Sequence, residues 1–336
     1  MLLYIAKRLF FLIPILVGVT MIAFIVSRIL PGDPARIYAG SQADEASVES
    51  IRREFGLDQP LPTQYGNYLL GLLHGDLGTS IRTRNSVAKD LLARAPATIE
   101  LATAAMLLAL LLAIPLGVLA AVRRGKMTDR VSRLASTLGL SMPDFWLGLL
   151  LILGLYVWLR VVPPPVGRLG ILDDRPAGPT GLFTVDALLA GDLHTFTSAL
   201  SYLLMPALAL GIPAAGALFR LTRNSTIDVL GSDYVLFERA SGLRGMRLYL
   251  KYVLRNAIPN TVTLAAMLFG YLLGGAVLVE KLFAWPGLGL YAANSLDFND
   301  FAAIQGFVLI TAIAYLVVFL FLDIVHSWLD PRVHIR

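Results

Sequence analysis

Six long stretches of this chain carry no Asp, Glu, Lys or Arg: Leu9–Ser27, Leu101–Val122, Phe145–Leu159, Leu193–Phe219, Ala257–Val279 and Phe301–Leu322. A bilayer core is crossed by about 20 apolar residues in a helix. Five of the runs reach that length. The third is short, and reaches it only if its helix starts near Leu134 and carries Asp144 inside. Composition supports the same conclusion. Hydrophobic residues make up 57% of the chain and charged residues 15%, where a soluble domain has about 25% charged residues. So small a polar complement cannot cover a water-facing surface, and the excess must face lipid. The runs lack strict period-two alternation, which favours helices over a β-barrel. The expectation is an all-α polytopic membrane protein with six transmembrane helices.

Lys and Arg in the short loops set the orientation. Lys7 and Arg8 precede the first span, Arg123, Arg124, Lys126, Arg130 and Arg133 follow the second, and Arg332 and Arg336 close the chain. On the opposite side stand Asp173, Asp174, Asp186, Asp192, Asp297 and Asp300. Cytoplasmic N- and C-termini are therefore expected. Met1–Ser27 has a basic start and an apolar core but no small-x-small cleavage site before Pro31, so it is expected to remain as the first span. Pro31–Thr98 is read as an external segment of two short amphipathic helices, Ala46–Phe55 and Gln64–Leu73, separated by turn residues. Val162–Gly181, rich in Pro and Gly, is read as an irregular external loop. The net charge of +5 is explained by the loops and is not a nucleic-acid signal. With no cysteine in the chain, disulfides and thiolate metal sites are excluded.

Familiar catalytic constellations are missing. Gly125-Lys126 lacks the upstream glycine and the Ser/Thr of a phosphate-cradling loop. No H-E-x-x-H or G-x-S-x-G occurs, and His74, His194, His326 and His334 are isolated in sequence. What remains is a conduit whose energy source lies on another chain. The most unusual interval is Arg220–Asn260. Seven basic residues (Arg220, Arg223, Arg239, Arg244, Arg247, Lys251 and Arg255) stand there against Asp228, Asp233 and Glu238. Tyr234, Phe237, Ala240, Met246, Tyr249 and Val253 recur at helix-like spacing, interrupted at Gly242 and Gly245. This reads as helix, glycine break and second helix, a compact elbow. An amphipathic helix lying on anionic lipid is the other reading of these residues.

Asp233-Tyr234-Val235, Glu238-Arg239-Ala240-Ser241-Gly242-Leu243 and Leu254-Arg255-Asn256-Ala257 resemble the cytoplasmic coupling loop of ABC importer permeases of the dipeptide/oligopeptide/nickel type. Upstream, Arg220-Leu221-Thr222-Arg223-Asn224-Ser225 and Asp228-Val229-Leu230 resemble it too. The likeness covers nearly the whole chain. It takes in Pro31-Gly32-Asp33-Pro34, Gly56-Leu57-Asp58, Gln64-Tyr65, Gly75-Asp76-Leu77-Gly78-x-Ser80, Pro206-Ala207, Gly211, Phe283-x-Trp285-Pro286-Gly287-Leu288-Gly289 and Asp330-Pro331-Arg332. The pattern most resembles the B-type permease subunit of dipeptide importers. Glu238 and Ser241 depart from the family's more usual Ala-Arg-Ala-Lys-Gly-Leu, and Pro259 sits one position early.

The resemblance implies a type I ABC importer permease fold in a bacterial cytoplasmic (inner) membrane. Residues 1–30 would hold the N-terminal tail and first span, 31–98 an external helical segment, 99–325 a five-helix core with the coupling loop at 220–260, and 326–336 a cytoplasmic tail. Two ATP-binding subunits would carry ATP and Mg, this chain holding no cofactor. A second homologous permease and an external substrate-binding protein would complete the assembly, which would move small peptides by alternating access. Nickel complexes, glutathione or another small solute remain alternative cargoes, and a non-transporting scaffold or signalling subunit is an alternative of another class. Asp233, Tyr234, Glu238, Arg239, Ala240, Gly242 and Leu243 would meet the ATPase.

Ser141, Pro143, Asp144 and Phe145 are candidates for the translocation path, because a carboxylate within a span is costly and should face a polar path or a partner. A cationic peptide amino terminus would be a natural counter-ion for Asp144. A partner-subunit arginine is the alternative. Trp285, Pro286 and Gly287 are read either as an interfacial aromatic anchor or as a docking surface for the binding protein. Pro31-Gly32-Asp33-Pro34 reads as a turn ending the first span or as a substrate contact. Asp323 reads as interfacial. Gly274-Gly275 is expected to permit close helix approach.

Overall fold

A computed structural model describes residues 2–29, 34–40, 42–243 and 245–329. Pro31, Gly32, Asp33, Arg244, Asp330, Pro331 and Arg332 lie outside the described residues, as does His334. Helices dominate: α1 (Leu2–Ile29), α2 (Pro34–Ala39), α3 (Glu45–Glu54), α4 (Leu61–Leu73), α5 (Val87–Val122), α6 (Met127–Ser141) and α7 (Asp144–Leu151) come first. Then follow α8 (Phe183–Leu189), α9 (Leu193–Leu230), α10 (Asp233–Ala240), α11 (Arg255–Gly275), α12 (Val277–Leu282), α13 (Leu288–Asp297) and α14 (Phe301–Leu329). A π-helical segment, Ile152–Trp158, continues α7, and another, Leu248–Leu254, leads into α11. Among the described residues the only β-pairing is the isolated bridge between Thr79 and Ser86.

Five helical stretches are long and apolar enough to cross a membrane: Phe10–Arg28, Val87–Val122, Leu193–Leu230, Leu248–Gly275 and Phe301–Asp323. The sixth expected span takes a different form. Instead of one helix from Leu134 carrying Asp144 inside, α6 and α7 meet at an angle of 105°. Pro143 is the cause. Its ring disfavours helical backbone at the preceding residue, and Met142 is extended at φ −88°, ψ 127°. Pro143 then opens α7, so Asp144 lies in a first helical turn, where the positive end of the helix dipole favours a carboxylate. Counted as one bent span, α6 with α7 makes six.

The chain divides into two compact units, residues 1–98 with 286–316, and residues 99–285 with 317–336. In the first, the Gly75–Ser80 motif is a turn built for docking onto the start of α14. Gly75 and Gly78 adopt φ of +76° and +82°, a region side chains disfavour. The Ser80 hydroxyl donates to buried Asp300 at 2.5 Å, and the Arg82 N–H donates to the same oxygen. Val87, Leu91, Leu288, Tyr291 and Ala303 form the apolar core beside it. Tyr65 of α4 ties the small helices to α1, its hydroxyl lying 3.1 Å from that of Thr20.

The second unit is built around α9, which packs against α6, α7, α8, α11 and α12. Lipid offers leucine no less than a neighbouring helix does, so such contacts depend on close fit at small residues. The buried face of α9 carries Ala199, Ala207, Gly211, Ala215 and Gly216. A Cβ at position 211 would lie 2.9 Å from the Ala105 carbonyl oxygen of α5, and one at 216 only 2.7 Å from the Ser136 carbonyl oxygen of α6. Gly275 of α11 does not serve this purpose: a Cβ there would meet the Tyr271 ring of its own helix.

Backbone cannot yield to a new methyl at position 216 as a flexible side chain could. Gly216→Ala is therefore expected to lower stability by about 1–3 kcal/mol, read as a fall in the detergent-solubilised melting temperature. A wild-type melting temperature would contradict the close α6–α9 contact.

Candidate functional site

The elbow is shorter than its sequence interval. α9 continues to Leu230, so Arg220 and Arg223 sit on its last turns, and Gly231 ends it. Polar residues with ordinary helix propensity extend the helix beyond the end of its apolar run. α10 then carries Asp233, Tyr234, Glu238, Arg239 and Ala240. Gly242 and Gly245 adopt φ of +89° and +73°, which reverses the chain between α10 and the segment entering α11. The Gly242 N–H donates to the Arg239 carbonyl and the Leu243 N–H to that of Glu238.

This small turn has its own core. Val235, Leu248 and Val253 are buried together, with Val229, Leu230, Leu243, Tyr249 and Tyr252 packed on them. Phe237 and Met246 are about 70% exposed and Tyr234 is exposed as well. The helix-like spacing of Tyr234, Phe237 and Met246 did not say which way they face. The structure assigns packing to Val235 and Leu248 and leaves an apolar face turned outward. Exposed apolar patches rimmed by polar residues mark interaction surfaces.

The four path candidates gather at the 105° break. Ser141 ends α6, its hydroxyl donating to the Thr137 carbonyl at 2.8 Å. Pro143 is exposed. Asp144 and Phe145 begin α7, and Asp144 Oδ1 accepts the Phe145 N–H at 2.7 Å. Asp144 borders a cavity of about 130 Å³, otherwise lined by Leu140, Leu210, Pro213, Ala214, Leu268, Tyr271 and neighbouring apolar residues. Phe145 faces elsewhere, into a groove with Leu149, Leu278, Lys281 and Leu282. Of the four, only Asp144 reaches the cavity.

The Trp285 expectation requires correction. Its ring is 1% exposed, so it is neither an interfacial anchor nor an offered docking side chain. The Arg168 guanidinium lies 5.7 Å from the Trp285 ring centroid and 3.6 Å from that of Phe183. Ala284, at φ +47°, aims the chain into this position. Pro286 is exposed and Gly287 buried, and Gly287 precedes α13, whose Leu288 N–H donates to Thr98 Oγ1.

Two charge pairs were not found by sequence reasoning. Arg168 lies in the loop read as irregular, yet its Nε and Nη2 donate to Glu100 Oε2 at 3.2 and 2.5 Å. Thr184 donates its N–H and hydroxyl to Glu100 Oε1, each at 2.7 Å. Burial lowers the Arg168 pKa, and Glu100 acts against that shift. Burial pushes the nearby Asp186 carboxyl up, but hydrogen bonds from Thr180 and Gly181 outweigh it and hold Asp186 below the usual carboxylate range. The second pair is Asp129 with Arg223, Nε to Oδ1 at 2.6 Å. Its one sequence signal was a single acid among the five bases of Arg123–Arg133. Two of those bases, Arg130 and Arg133, prove to be helical in α6.

Among the described residues no group of His, Asp and Glu could hold a metal ion. The site is thus a broken membrane span with one carboxylate at a small cavity, and an elbow presenting an apolar face.

Comparison with known sequences places this architecture. Residues 113–335 match the family of binding-protein-dependent transport system inner membrane components, and residues 1–102 match the N-terminal region of such membrane components. The chain belongs to this family and is a multi-pass inner-membrane permease component. It is 44% identical to the probable D,D-dipeptide transport system permease protein DdpB of Escherichia coli (strain K12), over 97% of this chain and 96% of that one. To the dipeptide transport system permease protein DppB of the same strain it is 37% identical over 99% of each chain. To the glutathione transport system permease protein GsiC of Salmonella choleraesuis (strain SC-B67) it is 35% identical over the full length of both.

Removing one partner of a buried ion pair costs about 3–5 kcal/mol. Glu100→Gln should therefore release the Arg168 loop, seen as faster hydrogen exchange across residues 166–186. Unchanged protection there would show that Glu100 does not hold the loop.

Proposed function

We propose that this chain is one transmembrane subunit of an ATP-driven importer that moves small peptides into the cell by alternating access. The observation that carries this reading is the elbow: an outward apolar face of Tyr234, Phe237 and Met246 on a polar stretch, stiffened by its own core. Its N- and C-termini lie in the cytoplasm, by the distribution of Lys and Arg. Asp233, Tyr234, Glu238, Arg239, Ala240, Gly242 and Leu243 engage one of two ATP-binding subunits, which carry ATP and Mg and perform the hydrolysis. A second, homologous permease completes the path. An external binding protein delivers the cargo to a surface that includes exposed Pro286.

Peptide cargo is supported by the names of the relatives, two of which are dipeptide permeases. Glutathione, in the name of a third, is itself a modified tripeptide with a free ammonium group. Within the path, Asp144 supplies the negative charge that such an ammonium group meets. Displacing the elbow requires that the ATPase engage it differently in its two states, since equal engagement would shift no equilibrium.

Proline cannot adopt φ +89°, its ring holding φ near −65°. Gly242→Pro is expected to abolish transport-linked ATP hydrolysis in the assembled transporter while leaving membrane insertion intact. Normal coupling in that variant would sink the elbow assignment. For the path, Asp144→Asn should lower uptake of peptides with a free amino terminus about tenfold relative to N-acetylated ones. Equal uptake ratios in variant and wild type would remove Asp144 from the path.

A further inference from the structure

Asp129 is 1% exposed and stands in the first turn of α6. Three elements converge on its carboxylate. Arg223 of α9 donates Nε to Oδ1 at 2.6 Å and Nη2 to Oδ2 at 3.0 Å. The Gly125 N–H, from the turn after α5, donates at 3.0 Å. Arg133, one turn along α6, places Nε 3.5 Å away. At the same level of α9, Thr222 and Thr261 join their hydroxyls at 3.0 Å, and Asn260 Nδ2 donates to Ser225 Oγ at 3.2 Å. α5 is held close as well: a Cβ on Gly117 would lie 2.9 Å from Thr222 Cβ. The two stems of the elbow, α9 and α11, are thus tied together by side-chain hydrogen bonds immediately before the elbow begins.

We propose that Asp129 and Arg223 are the positioning pair through which displacement of the elbow reaches α6 and the break at Met142–Pro143. This rests on the coupling reading of the elbow. Because its stems are tied to each other, the elbow and the adjoining ends of α9 and α11 move as one body. α6 is not covalently continuous with that body. Its contacts with α9 at Gly139–Ile212 and Gly216–Ser136 join small and apolar groups and carry no charge. A guanidinium gripping a carboxylate with two nitrogens has a fixed geometry and transmits both push and pull. Neither charge can be left alone at this depth without a large penalty, so the pair stays closed as the elbow moves. From Asp129, α6 runs as a continuous helix to Ser141, about 20 Å at 1.5 Å per residue. At its far end the break sets Asp144 against the cavity.

The test uses the assembled transporter in lipid vesicles, reading peptide uptake per ATP hydrolysed. Asp129→Asn is expected to lower that ratio about tenfold, while ATP hydrolysis and co-purification of the ATP-binding subunits persist. Arg223→Lys keeps the charge but loses the fork, and should fall between the variant and wild type. A wild-type ratio in Asp129→Asn would overturn the proposal. So would failure of both variants to insert or assemble, which would make the pair a folding element only. Phe237→Asp separates this from the elbow reading. If Phe237→Asp leaves uptake per ATP unchanged, the elbow reading falls and this proposal with it. If Phe237→Asp uncouples while Asp129→Asn does not, the Asp129–Arg223 role alone is wrong.

Discussion

Lipid gives a helix no reason to prefer a neighbour's leucine to its own solvent, so the organisation of the second unit depends on how closely α9 can be approached. Small residues on α9 provide that approach. Gly211 admits the α5 backbone and Gly216 admits the α6 backbone, each so near that one methyl group would collide with a carbonyl oxygen. Thr222, Ser225 and Thr226 continue the buried face toward the elbow as a polar strip. Packing therefore changes character along one helix. It is tight and apolar in the middle and hydrogen-bonded near the end, where a mechanical load would enter. Hydrogen bonds hold a register that apolar contact alone leaves free to slip.

The break between α6 and α7 gains meaning in that setting. An isolated carboxylate is expensive in the middle of a straight span. Pro143 avoids that arrangement by ending one helix and starting another, so that Asp144 stands in a first turn with its own backbone donor. The remaining side of the carboxylate borders a small, mainly apolar cavity. On the proposed path reading, a cargo ammonium group would meet the carboxylate from this side.

Much of the fold was legible because its signals are local. Hydropathy gave the spans, Pro and Gly gave the turns, and amphipathic patterning gave α3 and α4 to within a few positions. Gly242 and Gly245 announced the elbow, and both do take positive φ. What could not be read was pairing over distance. Arg168 and Glu100 are 68 residues apart, Arg223 and Asp129 are 94, and no spacing rule connects them. Trp285 misled for a related reason. An aromatic residue before Pro-Gly looks like a surface anchor until it is found buried with the distant Arg168 guanidinium over its ring. Within the elbow the apolar pattern was visible, but which residues turn inward depended on the small core that Val235 shares with Leu248 and Val253.

On the proposed coupling reading, the outward face of the elbow meets an ATP-binding subunit and does so differently in two states. The chain contains no cysteine, so Phe237→Cys introduces a unique reactive position on that face. Cross-linking from this position in membranes holding the assembled transporter, with and without ATP, is the most direct measurement. The expected result is a covalent adduct with the ATP-binding subunit whose yield changes when ATP is bound. Adducts with lipid alone, or none with that subunit in either state, would contradict it.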